Sequence, residues 1–174
     1  MSESVIVTGT TKKEKYDSLL PQVKALVEGE TDSIANISNI IAALKFGLDL
    51  FWVGVYFVKD FPPALPIGET DDKQLVLGPF QGPVACTRIS LGKGVCGTAW
   101  EQKKTIIVED VDKFPGHIAC SSLSRSEIVV PGFNSKGDVI FVLDVDSEHL
   151  ASFDETDQGA LEEIVKIISS CVNS

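Results

Sequence analysis

The chain has 174 residues, 44% of them hydrophobic, which favours a globular domain with a substantial buried core. Its net charge of −10 disfavours nucleic acid and membrane surfaces as partners, and no apolar run approaches the roughly 18 residues of a membrane span. Residues 1–11 contain no basic region followed by an apolar stretch, so we expect a cytoplasmic protein. We predict a flexible N-terminal tail over 1–11 and a single domain over 12–174.

The N-terminal quarter of the chain has apolar residues at helical spacing. Apolar residues at three- and four-residue spacing predict a helix over 12–27, in which Pro21 predicts a kink or a fresh start. A second helix is predicted over 31–46, with Gly47 as its C-terminal stop. Its buried face is expected to comprise Ile34, Ile37, Ile41 and Leu44.

Strand-like segments follow. The apolar run 51–58 predicts a strand covered on both faces, and the proline-rich stretch 59–73 predicts a loop. Two short strands are predicted over 74–77 and 84–89. The turn between them is placed around Gly78, Pro79 and Gly82.

The second half of the chain alternates between short helix and strand. A helix is predicted over 95–102 and a strand over 105–108. The segments 127–133 and 139–145 predict a β-hairpin. Asp154 predicts the start of a final amphipathic helix. These elements indicate an α+β domain, with a central antiparallel sheet of about six strands and the N- and C-terminal helices packed on one face.

Four cysteines occur, and none lies in a Cys-x-x-Cys motif. Cys120 follows small residues in an irregular stretch, Cys96 opens the short helix, where the dipole favours a thiolate, and Cys86 is placed within a strand. Together these three thiols could supply an attacker and one or two resolving residues. A zinc site formed by them and His117 matches no usual spacing, so no metal is expected. Each cysteine could instead fill core volume, as we expect of Cys171.

Three carboxylates form the second candidate group. Asp144 and Asp146 end an apolar strand and point to the same face, and Glu127 opens the facing strand. Carboxyls held close together cannot all ionise cheaply, so at least one pKa should rise and make a general acid. The alternative is that these side chains are solvated or cap a turn. Trp52 and Tyr56 also share one face, either as core or as an aromatic wall for a small apolar group such as a methyl.

Five runs of residues carry a resemblance to a known family: LGPFQG at 77–82, GKGVCGTA at 92–99, PGHIAC at 115–120, SEIVVP at 126–131 and LDVDS at 143–147. In combination they resemble the free methionine-(R)-sulfoxide reductases, a catalytic branch of the GAF domain fold. The likeness extends over nearly the whole chain.

The resemblance implies that free L-methionine (R)-sulfoxide is reduced to L-methionine by a cysteine thiolate, through a sulfenic acid and an intramolecular disulfide. Cys120 matches the attacking residue, and Cys86 and Cys96 match candidate resolving residues, although Cys96 could also be the attacker. The acidic cluster and the pocket wall are matched by Glu127, Asp144, Asp146, Trp52 and Tyr56.

The family also implies partners. No cofactor is expected to be bound, and thioredoxin, reduced ultimately by NADPH, is the expected external dithiol reductant. Relatives suggest a homodimer. Phe141 and Ser121 depart from residues common in relatives and bear on pocket shape. Two other interpretations of the sequence remain: a non-catalytic GAF sensor of a small molecule or of redox state, and a dimeric interaction module with incidental cysteines.

Overall fold

A computed structural model describes residues 5–60, 73–116 and 122–172. The helices are α1 (Lys12–Leu26), α2 (Ser33–Leu48), α3 (Gly94–Gln102) and α4 (Glu155–Val172), with a 3₁₀ turn at Val111–Lys113. The strands are β1 (Trp52–Asp60), β2 (Lys73–Gln81), β3 (Arg88–Ile89), β4 (Ile106–Val108), β5 (Ser126–Phe133) and β6 (Val139–Ser147). None of the helices in the described ranges is long and apolar enough to cross a membrane.

The described strands form one sheet in the order β3-β2-β1-β6-β5-β4, and each neighbouring pair is antiparallel. Helices α1, α2 and α4 share one hydrophobic core with one face of the sheet, while α3 packs on the opposite face. Alternation along β6 follows this division. Phe141, Leu143 and Val145 enter the helical core, whereas Val142 packs in the smaller core below α3. The predicted α+β class and antiparallel sheet are confirmed.

Helix α1 runs through Pro21, so the helix does not start afresh there as one of the two predicted outcomes had it. Proline removes one helical hydrogen bond, but Pro21 is exposed and the carbonyl left without a partner can reach water. Leu19 and Val23, both fully buried, anchor the helix on either side of it. At the N-terminus, Thr11 and Glu14 form a reciprocal capping box.

The second helix ends later than predicted. Gly47 lies inside α2, and Asp49, with a φ of 54°, forms the left-handed C-cap. A Cβ on Gly47 would lie 2.8 Å from Cγ2 of Val7, so close packing favours a glycine at this position, which does not end the helix. Ile34 was expected on the buried face but is 53% exposed, because it lies in the first turn, before α2 reaches the core.

The described part of the expected tail, residues 5–11, lies against α1. The backbone of Ile6 exchanges two hydrogen bonds with the side-chain amide of Gln22, at 3.0 and 2.8 Å. The backbone N–H of Thr8 donates to Oγ of Ser18 at 3.1 Å. These bonds hold residues 6–8 beside the first helix.

The turn predicted within 78–82 was wrong, because β2 continues to Gln81. Between Gly54 and Tyr56 of β1 the pairing shifts by one residue, so that Gly78 and Pro79 together face a single position. Such a β-bulge accommodates a proline, which cannot donate to the sheet. The segment 84–87 is irregular and β3 is reduced to two residues.

The C-terminal predictions are confirmed. Strands β5 and β6 form the expected hairpin, and Asn134 Oδ1 accepts hydrogen bonds from the backbone N–H groups of Lys136 and Asp138 in its loop. Asp154 caps α4 by accepting from the backbone N–H of Thr156 at 2.8 Å. Lys12 pairs with Asp154 at 2.9 Å and so ties α1 to this cap.

Candidate active site

The three carboxylates predicted from the sequence lie together on the α3 face of the sheet. Strand β6 lies between β1 and β5, and Asp146 is opposite Trp52 on one side and Glu127 on the other. Asp144 is two residues earlier on β6 and therefore points the same way, opposite Gly54. The strand register thus places the acids and the first aromatic residue in one patch.

Aromatic side chains from β1 and β2 form the wall beside this patch. Trp52 stacks on Tyr56 at 6.1 Å and on Phe80 at 5.5 Å between ring centroids, and its indole N–H donates to the carbonyl of Pro83 at 2.9 Å. A Cβ on Gly54 would come within 2.5 Å of the Trp52 ring. The missing side chain therefore lets the indole lie flat across the strand next to Asp144.

Helix α3 covers the acids from the other side. Its residue Cys96 is buried, and its Sγ donates a long hydrogen bond of 3.9 Å to Oε1 of Glu127. The helix packs closely on the preceding loop, since a Cβ on Gly97 would lie 2.4 Å from the carbonyl oxygen of Ser90. The backbone N–H of Gly92 donates to the carbonyl of Gly97 at 2.9 Å.

These elements enclose a cavity. Six of the sequence-predicted site residues line it: Trp52, Tyr56, Cys96, Glu127, Asp144 and Asp146. Sequence reasoning missed two polar residues of its lining, Ser124 and Lys93. Ser124 hydrogen-bonds Asp146, but it lies in a stretch that was predicted only as irregular, and no motif there could have identified it. The cavity lining combines aromatic and acidic side chains.

Burial raises the pKa of every carboxyl in the cluster, and neighbouring charges raise the pKa values of Glu127 and Asp144 further. Burial, followed by the charge of Asp144, raises the pKa of Glu127 well above its usual range. Burial and the charge of Asp146 do the same to the pKa of Asp144. Asp146 is only half-buried and hydrogen-bonds Ser124, and its pKa is raised by burial to about 6. The predicted rise in pKa is confirmed for all three carboxyls.

Cys96 does not have the environment that was predicted for it. Its position at the start of α3 was expected to favour a thiolate, but burial and the charge of Asp144 raise the pKa of its thiol well above the normal value. The prediction was wrong because the acidic cluster and the loss of solvent outweigh one short helix dipole.

The other cysteines occupy different surroundings. Cys86 lies in the irregular segment before β3, not within a strand as predicted, and it is half-buried and disulfide-bonded. Cys171 is a free, buried residue of α4, as expected. Cys120, His117 and Ser121 lie outside the described residues.

Comparison with known proteins supports the fold described above. The family model described as "GAF domain" matches residues 42–173. A solved structure of free methionine-R-sulfoxide reductase from Neisseria meningitidis, in complex with its substrate, is 49% identical with a TM-score of 0.87, covering 97% of this chain and 95% of that one. The chain belongs to the free methionine-R-sulfoxide reductase family of GAF domains.

Further relatives of this family span the chain almost completely. "GAF domain-containing protein A" of Dictyostelium discoideum is 52% identical over 98% of this chain and 100% of its own length. The free methionine-R-sulfoxide reductase of Saccharomyces cerevisiae is 39% identical over 92% of this chain and 88% of its own length. The resemblance inferred from the five sequence runs is therefore confirmed, and the chain has the fold of an oxidoreductase family.

Proposed function

We propose that this chain reduces free L-methionine (R)-sulfoxide to L-methionine. The observation that carries the proposal is the buried cluster of three carboxyls with raised pKa values, set in a cavity with an aromatic wall. The relatives named as this reductase, one of them bound to its substrate, support it.

The carboxyls supply the proton that the reaction needs. A sulfoxide oxygen leaves only when protonated, and the raised pKa values of Glu127 and Asp144 favour the protonated carboxyls that can donate this proton. Asp146, with a pKa of about 6, is largely ionised at pH 7 and can hold the substrate ammonium. Trp52 and Tyr56 would contact the methyl group and thioether chain.

Cys120 is the attacking residue in this proposal. Its thiolate attacks the sulfoxide sulfur, a carboxyl gives a proton to the oxygen, and methionine leaves while the cysteine becomes a sulfenic acid. The cysteine sulfur loses two electrons and the substrate sulfur gains them. The high pKa of the Cys96 thiol argues against Cys96 as the attacker.

Cys86 is the resolving residue. Its thiol condenses with the sulfenic acid, releases water and forms a disulfide. The disulfide-bonded state of Cys86 supports this role. The proposed target of its thiol is the sulfenic acid formed on Cys120.

An external dithiol then restores both thiols by exchange. We propose thioredoxin, reduced ultimately by NADPH, as this reductant, with no bound cofactor and a cytoplasmic location. We also propose a homodimer. The exposed Phe46 of α2, at 79% exposure, is an apolar side chain that a second copy could cover.

The deciding assay supplies separated (R) and (S) sulfoxides, free and peptide-bound, with dithiothreitol as reductant. We expect multiple turnover of the free (R) form alone. Cys120→Ser should abolish this turnover, whereas Cys171→Ser, the matched control in α4, should retain it. Stoichiometric oxidation or binding without turnover would contradict the proposal and favour a GAF sensor.

A further inference from the structure

In the cavity, the thiol of α3 lies next to two carboxyls of the acidic cluster, and the three groups converge on one point. We propose that Cys96, Glu127 and Asp144 form a binding site for a divalent cation of the Zn²⁺ type, which competes with the sulfoxide substrate. The competition rests on the proposed reductase activity, whereas the cation site itself does not.

The spacing of the three ligand atoms carries the inference. Sγ of Cys96 and one carboxylate oxygen each of Glu127 and Asp144 all lie within 4.8 Å of one another. Zinc bonds of about 2.3 Å to sulfur and about 2.1 Å to oxygen place tetrahedral ligand atoms roughly 3.4–3.6 Å apart. The Sγ–Oε1 distance of 3.9 Å between Cys96 and Glu127 is already close to this value.

One oxygen of the ligand set lacks a partner. Oδ1 of Asp144 is buried and makes no hydrogen bond, whereas the same carboxyl hydrogen-bonds Cys96 and Glu127. A buried acceptor left in this state costs about 1–3 kcal/mol. A cation at the centre of the cluster would supply the missing partner. This unpartnered oxygen is an observation independent of the ligand spacing.

The scaffold and the ligand types favour zinc over magnesium or calcium. Glu127 and Asp144 come from the paired strands β5 and β6, and Cys96 comes from α3, which packs on both strands. A thiolate with two carboxylates suits a borderline-soft ion, whereas the harder cations prefer oxygen ligands alone. Three protein ligands leave the fourth position open toward the cavity.

Bound zinc would displace the protons of the two carboxyls in the cluster that ligate it. The proposed proton donors, Glu127 and Asp144, would then be ligands, and neither could protonate a sulfoxide. The site would therefore act as a reversible inhibitory site of the reductase.

Cobalt provides a readout that does not depend on activity. Reduced full-length protein, freed of reductant, is titrated with Co²⁺, and thiolate ligation is followed by the near-ultraviolet sulfur-to-cobalt charge-transfer band. Wild type and Cys171→Ser, the control for the other free buried cysteine, should show the band at one equivalent. Cys96→Ser should lose the band, and the isosteric Asp144→Asn should bind Co²⁺ at least tenfold more weakly.

A band that persists in Cys96→Ser, or its absence from folded wild type, would overturn the site. Circular dichroism establishes that each variant is folded. In the second arm, Zn²⁺ should raise the KM for the sulfoxide, and a KM that does not change with Zn²⁺ would refute the competition. If the protein proves inactive on sulfoxides, the cobalt titration still decides the cation site.

Discussion

Asp146→Asn should stabilise the fold at neutral pH and have a smaller effect in acid. The folded protein raises the pKa of Asp146 to about 6 from an ordinary value of 3.8, because the side chain is buried in the cluster. Ionised Asp146 is thus less favourable in the folded than in the unfolded chain, and stability falls as pH rises from about 4 to 6. Asparagine keeps the shape and removes the charge.

The size of the effect follows from the two pKa values. At 1.36 kcal/mol per pH unit, the difference between 3.8 and about 6 amounts to about 3 kcal/mol at pH 7.5 and about 1 kcal/mol at pH 4.5. These are upper limits, since Asp146 is half-buried and water screens part of the interaction. The full value at pH 7.5 corresponds to roughly 6–12 °C in the melting temperature.

The assay is urea unfolding followed by tryptophan fluorescence, for wild type and variant, at pH 4.5 and 7.5. Asp138→Asn provides the control, because this carboxyl lies exposed in the β5–β6 loop and should show no pH-dependent gain. An equal gain at both pH values, or a loss at pH 7.5, would refute the view that Asp146 carries an unfavourable buried charge.

Further substitutions test the site and the core. Glu127→Gln should lower kcat by roughly 10²–10⁴-fold if this carboxyl is the proton donor. The kcat of wild type should fall as the pH rises through the raised pKa of Glu127. A variant with normal kcat and an unaltered pH profile would assign the proton donor to Asp144. Cys86→Ser should permit one round of reduction per protein and block recycling, as measured by methionine released without and with thioredoxin. Gly97→Ala should displace α3 from the loop at Ser90 and raise KM, and an unchanged KM would show that the loop yields. Leu161→Ala, in the helical core, should cost about 2–5 kcal/mol of unfolding free energy.

Much of the fold was predictable because long periodic segments report which face is buried. The final helix, the hairpin and the first strand were all found from pattern and capping residues. The errors fall where tertiary contacts override a local signal. Pro21 is held inside α1 by its buried neighbours, Gly47 is explained by Val7, and the bulge at Pro79 depends on the pairing with β1.

The candidate site divides in the same way. Two-residue alternation correctly placed Asp144 with Asp146, and Trp52 with Tyr56, on one face of the sheet. The environment of Cys96 could not be read from its helix position, because the docking of α3 onto the acids determines it. The position of Ser124 in the cavity depends on the path of an irregular segment, and the sequence carries no periodic signal that predicts this path.

The alternation of β6 has an evolutionary consequence. Within 141–146, the even-numbered positions include the two acids, and the odd-numbered positions fill the layer beneath the three helices. Inserting a single residue before Asp144 would exchange the two faces of the strand. The carboxylates would then enter the apolar layer, and hydrophobic side chains would enter the cavity. During evolution, insertions in the loop at 134–138 should be tolerated. Insertions or deletions within β6 should be tolerated only when they change its length by two residues, because such a change preserves the alternation.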